Sequence, residues 1–259
     1  MKNNKDLITI ISPLYNAEHF ILETINSVLN QTYNNWEWIL IDDASSDNSV
    51  DLLLPYSEND SRIKLFRLKE NVGAGEARNI GLSHSHGNYI TFLDADDYWD
   101  KDKLQTQLHF HLENNCCFSY SWYYNVDSRS NLLSRSRTPN NVSFRLLKFN
   151  NYILTSSIMC NKETIDGLTF PKIRKRQDWV FFLKLLKRSH IAYAIEKELV
   201  YYRSNANSLS ANKLSLVKPN YIMFRDYIYS GRCIPAILHF FIFLPLYVHN
   251  KLINKKKMK

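Results

Sequence analysis

The chain has 259 residues, 45% of them hydrophobic and 22% charged, and a net charge of +8. That balance excludes global disorder, and the length suits one larger α/β domain, alone or with an appendage. The positive excess admits nucleic acid, an anionic membrane or a polyphosphate ligand, but no arginine-rich arm or zinc-finger spacing accompanies it, so no nucleic-acid partner is expected.

Much of the charge sits in Arg174, Lys175 and Arg176 and in residues 251–259. The cysteines, Cys116, Cys117, Cys160 and Cys233, form no Cys-x-x-Cys pair and read as reduced thiols of a cytosolic protein. The first apolar run is broken at Ser12 and Pro13, too soon for the core of a secretion signal.

Residues 7–11 are a β-branched run expected of a strand buried on both faces. The chain then turns through Pro13, Tyr15 and Asn16. Ile21, Ile25, Val28 and Leu29 recur at helical spacing over 17–29, with Asn16 as candidate N-cap. A second buried strand, 36–41, ends in Asp42 and Asp43, and Ser46 or Asp47 caps a helix running through Leu54. Residues 63–68 form a third strand. A turn carrying Gly73 and Gly75 leads into a short helix that holds Arg78. The fourth strand, from Tyr89, ends abruptly in Asp94, Asp96 and Asp97.

Strand and helix thus alternate four times over short connections, the pattern of a mostly parallel, doubly wound α/β sheet. Such sheets bind ligands at the carboxyl ends of their strands. Pro13, Tyr15, Asp42, Asp43, Asn71, Arg78, Asp94, Asp96 and Asp97 all fall there. The three acids alone fit either a divalent-cation site, which would neutralise their repulsion, or a strand-to-helix turn with one capping aspartate. Polar clusters at four strand ends favour a ligand site. A dinucleotide fingerprint fails, because Arg78 stands where its third glycine is needed and the turn precedes the fourth strand. A calcium loop from Asp94 lacks its glycine and closing glutamate. Arg78, beside these acids, is expected to face phosphate.

The second half is less regular. It predicts a helix over 104–112, a strand over 116–124, a polar loop over 127–141 and a strand over 152–160. A helix over 177–187 follows, with Val180, Phe181, Leu183, Leu185 and Leu186 on its apolar side, then one or two short strands over 191–202 and a helix over 208–229 kinked at Pro219. Residues 233–248 are almost wholly apolar, interrupted by Pro235, His239 and Pro245, and lysines follow. The run is short for a membrane span and favours an in-plane or re-entrant anchor held by lysines on anionic lipid, with a helix packed on the domain as the alternative.

The motifs Ser12-Pro13-Leu14-Tyr15-Asn16, Ile41-Asp42-Asp43-Ala44-Ser45, Asn71-Val72-Gly73, Ala77-Arg78-Asn79-Ile80-Gly81 and Leu93-Asp94-Ala95-Asp96-Asp97, in this order, resemble the inverting family 2 glycosyltransferases. These have the nucleotide-diphospho-sugar transferase fold called GT-A, and the resemblance covers residues 6–110 strongly. It implies that Pro13 and Tyr15 wall the base and ribose, that Asp43, with Asp42 beside it, hydrogen-bonds the uracil, and that Arg78 lies near the nucleotide. Asp94-Ala95-Asp96 matches the DXD motif: one acid reaches the ribose and Asp96 binds Mn²⁺ or Mg²⁺ on the diphosphate, with Asp94 and Asp97 completing the metal set. Asp178 matches the family's base, with Gln177 in place of the commoner glutamate; its alternative is a first-turn acid favoured by the helix dipole. Tyr202-Arg203-Ser204 with Asn207-Ser208-Leu209-Ser210 resembles a segment of bacterial members that build surface polysaccharides. There Arg203 reaches the diphosphate, closes a loop over it, or forms a structural salt bridge.

The resemblance therefore implies a metal-dependent inverting glycosyltransferase moving sugar from a UDP-sugar donor to a glycan or polyprenyl-linked acceptor in O-antigen, capsule or lipooligosaccharide synthesis. It would work on the anionic surface of the bacterial inner membrane, peripheral or monotopic at the cytoplasmic face. Residues 1–115 are expected to bind the nucleotide sugar, 116–230 to form the acceptor half of the same domain, and 231–259 to be a membrane-associating tail. The alternative is a catalytically inactive sugar-nucleotide-binding or membrane scaffold protein, against which the presence of every motif acid argues.

Overall fold

The computed structural model describes residues 6–204 and 216–256. The first half runs β1 (Ile8–Leu14), α1 (Ile21–Leu29), β2 (Trp36–Asp42), α2 (Ser49–Asn59), β3 (Ile63–Arg67), α3 (Ala74–Ser83), β4 (Tyr89–Phe92), β5 (Tyr98–Trp99) and α4 (Lys103–Asn114). The second half adds β6 (Phe118–Val126), β7 (Leu132–Ser136), β8 (Asn141–Ser143), α5 (Phe144–Leu147), a 3₁₀ turn (Thr155–Ser157), β9 (Ile158–Asn161) and α6 (Lys162–Ile165). It closes with α7 (Gln177–Ser189), β10 (Ile191–Arg203), α8 (Val217–Ile222), a π-helical segment (Met223–Ile228) and α9 (Cys233–Lys256).

One sheet runs through both halves in the order β3-β2-β1-β4-β9-β6-β10-β5. The first four strands are parallel, as the βα alternation requires. β9 then pairs antiparallel with both β4 and β6 and joins the halves, so the parallel half continues into a mixed one. β1 and β2 are buried on both faces. Ile8, Ile10 and Leu14 face α1, α2 and α4, while Ile11 joins the cluster around α7, Phe224 and α9 on the other face. Strand side chains alternate, so the consecutive isoleucines Ile10 and Ile11 serve two different cores.

Several details differ from the sequence reading. Residues 127–141 hold β7 and the start of β8, which pair at the sheet margin with β6 and β10. β7 is largely exposed and carries no apolar alternation to betray it. Within 152–160 only the end is strand, and β10 is one strand interrupted by register shifts between Ile195 and Val200. Pro219 does not break a helix: it lies in the first turn of α8, where its missing N–H costs nothing. Asn16 is left-handed rather than an N-cap, and its side chain accepts from Ser46 N (2.9 Å), lacing the β1–α1 loop to the β2–α2 loop. Residues 207–210 lie outside the described residues.

α3 presses closely on β1: a methyl group on Gly81 would sit 2.4 Å from Ile11 Cγ2. Gly81→Ala is therefore expected to lower unfolding stability by about 1–3 kcal/mol, the usual cost of overpacking a core contact. Urea denaturation with an unchanged slope would register this, and an unaltered midpoint would mean that the helix simply shifts.

Candidate active site

The site is assembled from strand ends. β1 and β2 pair with Leu14 opposite Asp42, and Asp43 N donates to Leu14 O at 2.8 Å, so both motifs leave the sheet at one level. Tyr15 projects with 52% of its surface exposed, beside half-buried Pro13. Asp42 is buried and its carboxylate accepts from Ser45 N at 3.1 Å, with Arg67 Nε 3.9 Å away. Asp42 therefore shapes the turn.

Asp43 does different work. Its two carboxylate oxygens accept from Val72 N (2.7 Å) and Gly73 N (2.8 Å), which draws the β3–α3 loop over the end of β2. Gly73 has φ +88°, open to glycine and strained for other residues, although nothing lies within 4 Å of where a Cβ would stand. The requirement there is conformational, not spatial. Burial lifts the Asp43 carboxyl above its ordinary value, and Asp42 adds to that; the two backbone N–H donors and Arg174, from the loop before α7, oppose it.

Arg78 projects from α3 to Asp94 at the end of β4, with Nη2 2.5 Å from Asp94 Oδ1. The guanidinium is buried, lies 5.4 Å from the Phe170 ring centroid, and leaves its Nε unpartnered. Asn79 fixes Phe170 by both backbone groups, accepting from Phe170 N (2.7 Å) and donating to Phe170 O (3.1 Å). Phe170 stacks on Phe181 of α7 at 3.9 Å. The Arg-Asn pair of the sequence motif thus divides its labour: Arg78 faces the acids and Asn79 locks the platform beneath it.

The three acids separate. Asp94 and Asp96 are partly exposed, whereas Asp97 is 1% exposed. Asp97 accepts from Ser156 Oγ (2.5 Å) and from Arg203 N (2.9 Å). Burial, reinforced by Asp96 and Asp94, raises its carboxyl well above the usual range. Among the described residues no three-acid metal cluster forms. Asp97, expected to share a metal with Asp94 and Asp96, stands apart from them in the structure: its carboxylate points into the protein and anchors the turn.

Of the alternatives open for Arg203, the structure shows the salt bridge. It is 2% exposed, and its guanidinium pairs with Glu23, donates to Asp96 O (2.9 Å), Asp127 O (3.0 Å) and Ser130 Oγ (3.1 Å), and lies 4.6 Å from the Phe20 ring centroid. It ties together the end of β10, α1 and the acid turn.

Two residues that sequence reasoning missed complete the clamp. Thr24 Oγ1 lies 3.0 Å from Ala95 O and 2.8 Å from Asp97 O, and Ser156 Oγ also accepts from Asp94 N (3.2 Å). A buried threonine and serine carry no sequence signature of such roles.

Asp178 lies in the first turn of α7 and accepts from Asn151 Nδ2 at 3.2 Å. The residue at the N-cap is Arg176, in a left-handed conformation and without a side-chain cap. The start of α7 abuts the start of α3: a methyl on Gly75 would stand 2.1 Å from Gln177 Oε1. The helix bearing Asp178 therefore meets the helix bearing Arg78, through the residue that replaces the commoner glutamate.

A parallel sheet whose strand ends gather a backbone-bonded aspartate, an Arg–Asp pair and a facing helix start defines a nucleotide-sugar-transferase class of enzyme. The family model described as "Glycosyl transferase family 2" matches residues 9–167, and the chain belongs to that family and is a glycosyltransferase. It is 37% identical over 227 residues to the putative teichuronic acid biosynthesis glycosyltransferase TuaG of Bacillus subtilis, covering 87% of this chain and 90% of that one. It is 36% identical over 224 residues to WfgD of Escherichia coli, a UDP-Glc:α-D-GlcNAc-diphosphoundecaprenol β-1,3-glucosyltransferase, covering 86% of this chain and 87% of that one. In fold it is similar to S. aureus TarS 1–349 in complex with UDP-GlcNAc (TM-score 0.71, 19% identity, 92% of this chain and 71% of that one). It is similar also to the mannosyltransferase PcManGT of Pyrobaculum calidifontis in complex with GDP-Man and Mn²⁺ (TM-score 0.63, 18% identity, 88% of this chain and 66% of that one).

The clamp predicts distinct outcomes at Asp97. Asp97→Asn keeps an acceptor for Arg203 N and a polar partner for Ser156, and should fold with near-native stability. Asp97→Ala strands both buried donors and should lose about 1–3 kcal/mol for each. Chemical denaturation separates them; equal losses would remove the anchoring role.

Proposed function

We propose that the chain transfers a sugar from a UDP-sugar to a glycan or polyprenyl-linked acceptor during bacterial surface polysaccharide synthesis, with inversion at the sugar. The observation that carries this is the convergence of Asp43, the Arg78–Asp94 pair and the Asp178 end of α7 at one edge of the sheet. The names of WfgD and TuaG support the substrate classes. Residues 1–115 would hold the donor and 116–230 the acceptor. Work on lipid-linked acceptors supports a peripheral position at the cytoplasmic face of the inner membrane.

In this scheme Asp43 accepts the uracil N–H with lone pairs left over from Val72 N and Gly73 N, while Pro13 and Tyr15 flank base and ribose. Asp42 supports the turn from below. Asp94 and Asp96 suit a hard divalent cation, Mn²⁺ or Mg²⁺, of the kind held by one or two carboxylates together with substrate phosphates rather than by an all-protein cage. Such a metal supplies charge stabilisation to the departing diphosphate. Arg78, buried and positive, holds Asp94 in place and adds a fixed cation near the same oxygens. Asp178, steadied by Asn151, takes the proton of the acceptor hydroxyl as that oxygen attacks the anomeric carbon from the face opposite the leaving UDP.

Asp178→Asn is expected to lower turnover about 10²–10⁴-fold, the usual contribution of a general base, while UDP binding stays intact. Calorimetric UDP titration beside a coupled UDP-release assay tests this, and undiminished turnover would remove Asp178 from the reaction. UDP affinity should also fall on acidification. Because burial raises the Asp43 pKa, its carboxylate protonates at a higher pH than an ordinary aspartate, and the decline should begin correspondingly early. In Asp43→Asn that pH dependence should vanish; if it persists, another group governs it.

A further inference from the structure

The outer face of α9 has no role in the site. Ile234, Ile237, Leu238, Phe241 and Ile242 are 75%, 42%, 61%, 70% and 57% exposed. Their spacing, i, i+3, i+4, i+7 and i+8, makes one continuous stripe along the helix. A contiguous exposed apolar stripe of this kind marks an interaction surface rather than scattered surface hydrophobes.

The helix cannot hide this stripe by rolling, because its inner face is already committed. Ala236, His239 and Phe243 are buried against the domain. His239 stacks on Phe224 (4.3 Å between ring centroids) and its Nδ1 lies 3.0 Å from Tyr229 Oη; Phe243 packs on Phe224 (5.1 Å) and Trp179 (5.9 Å). Burial pushes the His239 pKa down to about 4, so the imidazole is neutral at physiological pH and suits an apolar seam. α9 is thus apolar on two sides, one built into the core and one facing out.

Charge decides between occupants. Residues 227–259 contain Arg232, Lys251, Lys255, Lys256, Lys257 and Lys259 and no aspartate or glutamate. A second copy docked stripe to stripe would bring these like charges together, whereas an anionic lipid surface complements them. Among the described residues no helix is long and apolar enough to cross a membrane. An in-plane helix with one apolar side in the acyl boundary and basic residues at its end fits that geometry.

We propose that the stripe Ile234, Ile237, Leu238, Phe241 and Ile242 docks α9 in the plane of an anionic bilayer while its opposite face grips α7. Phe243 packs on Trp179, the neighbour of Asp178, so the helix that touches lipid is joined side chain to side chain to the helix carrying the candidate base. Docking thereby fixes the acceptor side of the site at the membrane, where the diphosphate of a polyprenyl-linked acceptor is presented. This purpose rests on the acceptor class proposed above; the docking itself does not.

The test is flotation of the full-length protein with phosphatidylglycerol-containing vesicles and with phosphatidylcholine vesicles, beside Leu238→Glu/Phe241→Glu and Leu238→Ser/Phe241→Ser. Both sites are exposed and outside the catalytic groups, so folding and UDP binding should match the parent. The parent should float with the anionic vesicles and far less with the neutral ones, and both variants should lose at least about tenfold in vesicle affinity, as expected when apolar contact area is removed from an interfacial helix. Variants that float like the parent would overturn the proposal. So would a parent that ignores vesicles and sediments as a dimer dissolved by the same substitutions, which would make the occupant a second copy. Vesicle binding lost while UDP binding stays intact isolates the docking face from the donor site. A failure of UDP binding in the parent would instead strike the catalytic proposal and leave the flotation result standing.

Discussion

A carboxylate without access to water organises this site. Asp97 accepts from Ser156 Oγ and Arg203 N, and the turn that holds it is bound through its carbonyls by Thr24 and Arg203. A buried carboxylate is costly unless it is well bonded, and here both oxygens are engaged, while burial raises its pKa above the usual range. The result is a rigid turn from which Asp94 and Asp96 reach the surface. Arg203 multiplies the constraint, since it also binds Glu23 on α1 and the loop at Asp127 and Ser130. The last strand, the first helix and the acid turn therefore move together or not at all.

From that fixed turn the other parts take their places. Asp94 faces Arg78, Arg78 lies over Phe170, and Phe170 stacks on Phe181 of α7. Gln177 closes over Gly75 at the head of the same helix. The Arg78–Asp94 side and the Asp178 side are thus joined by a continuous path of packed side chains. α9 extends the path outward through Trp179 and Phe243.

Much of this was legible in the sequence where the physics is local and repetitive. The strands of the first half announced themselves through β-branched runs, and polar residues at four consecutive strand ends pointed to a ligand edge. Gly73 and Asp43 could be placed there, although the bonds between them could not, because a backbone N–H leaves no mark in a sequence. Where local pattern and tertiary burial diverge, the sequence misled. Asp97 looks like a third site acid beside Asp94 and Asp96, and only the fold shows that strand geometry turns it inward. For Arg203 the sequence left a diphosphate contact and a structural salt bridge both open, and only the fold shows the salt bridge. Thr24 and Ser156 were silent, being ordinary alcohols whose partners lie far away in the chain. β7 was missed because a margin strand has no buried face to impose alternation.

The division of the acids has a direct consequence. With Asp97 turned inward, the proposed scheme leaves a divalent cation two carboxylates, Asp94 and Asp96, and calls on the donor's diphosphate for further oxygens. Titration of Mn²⁺ followed by electron paramagnetic resonance, with and without UDP, tests this most directly. The account predicts weak Mn²⁺ binding to the protein alone and a large gain when UDP is present. Tight binding without nucleotide, lost in Asp97→Asn, would contradict it.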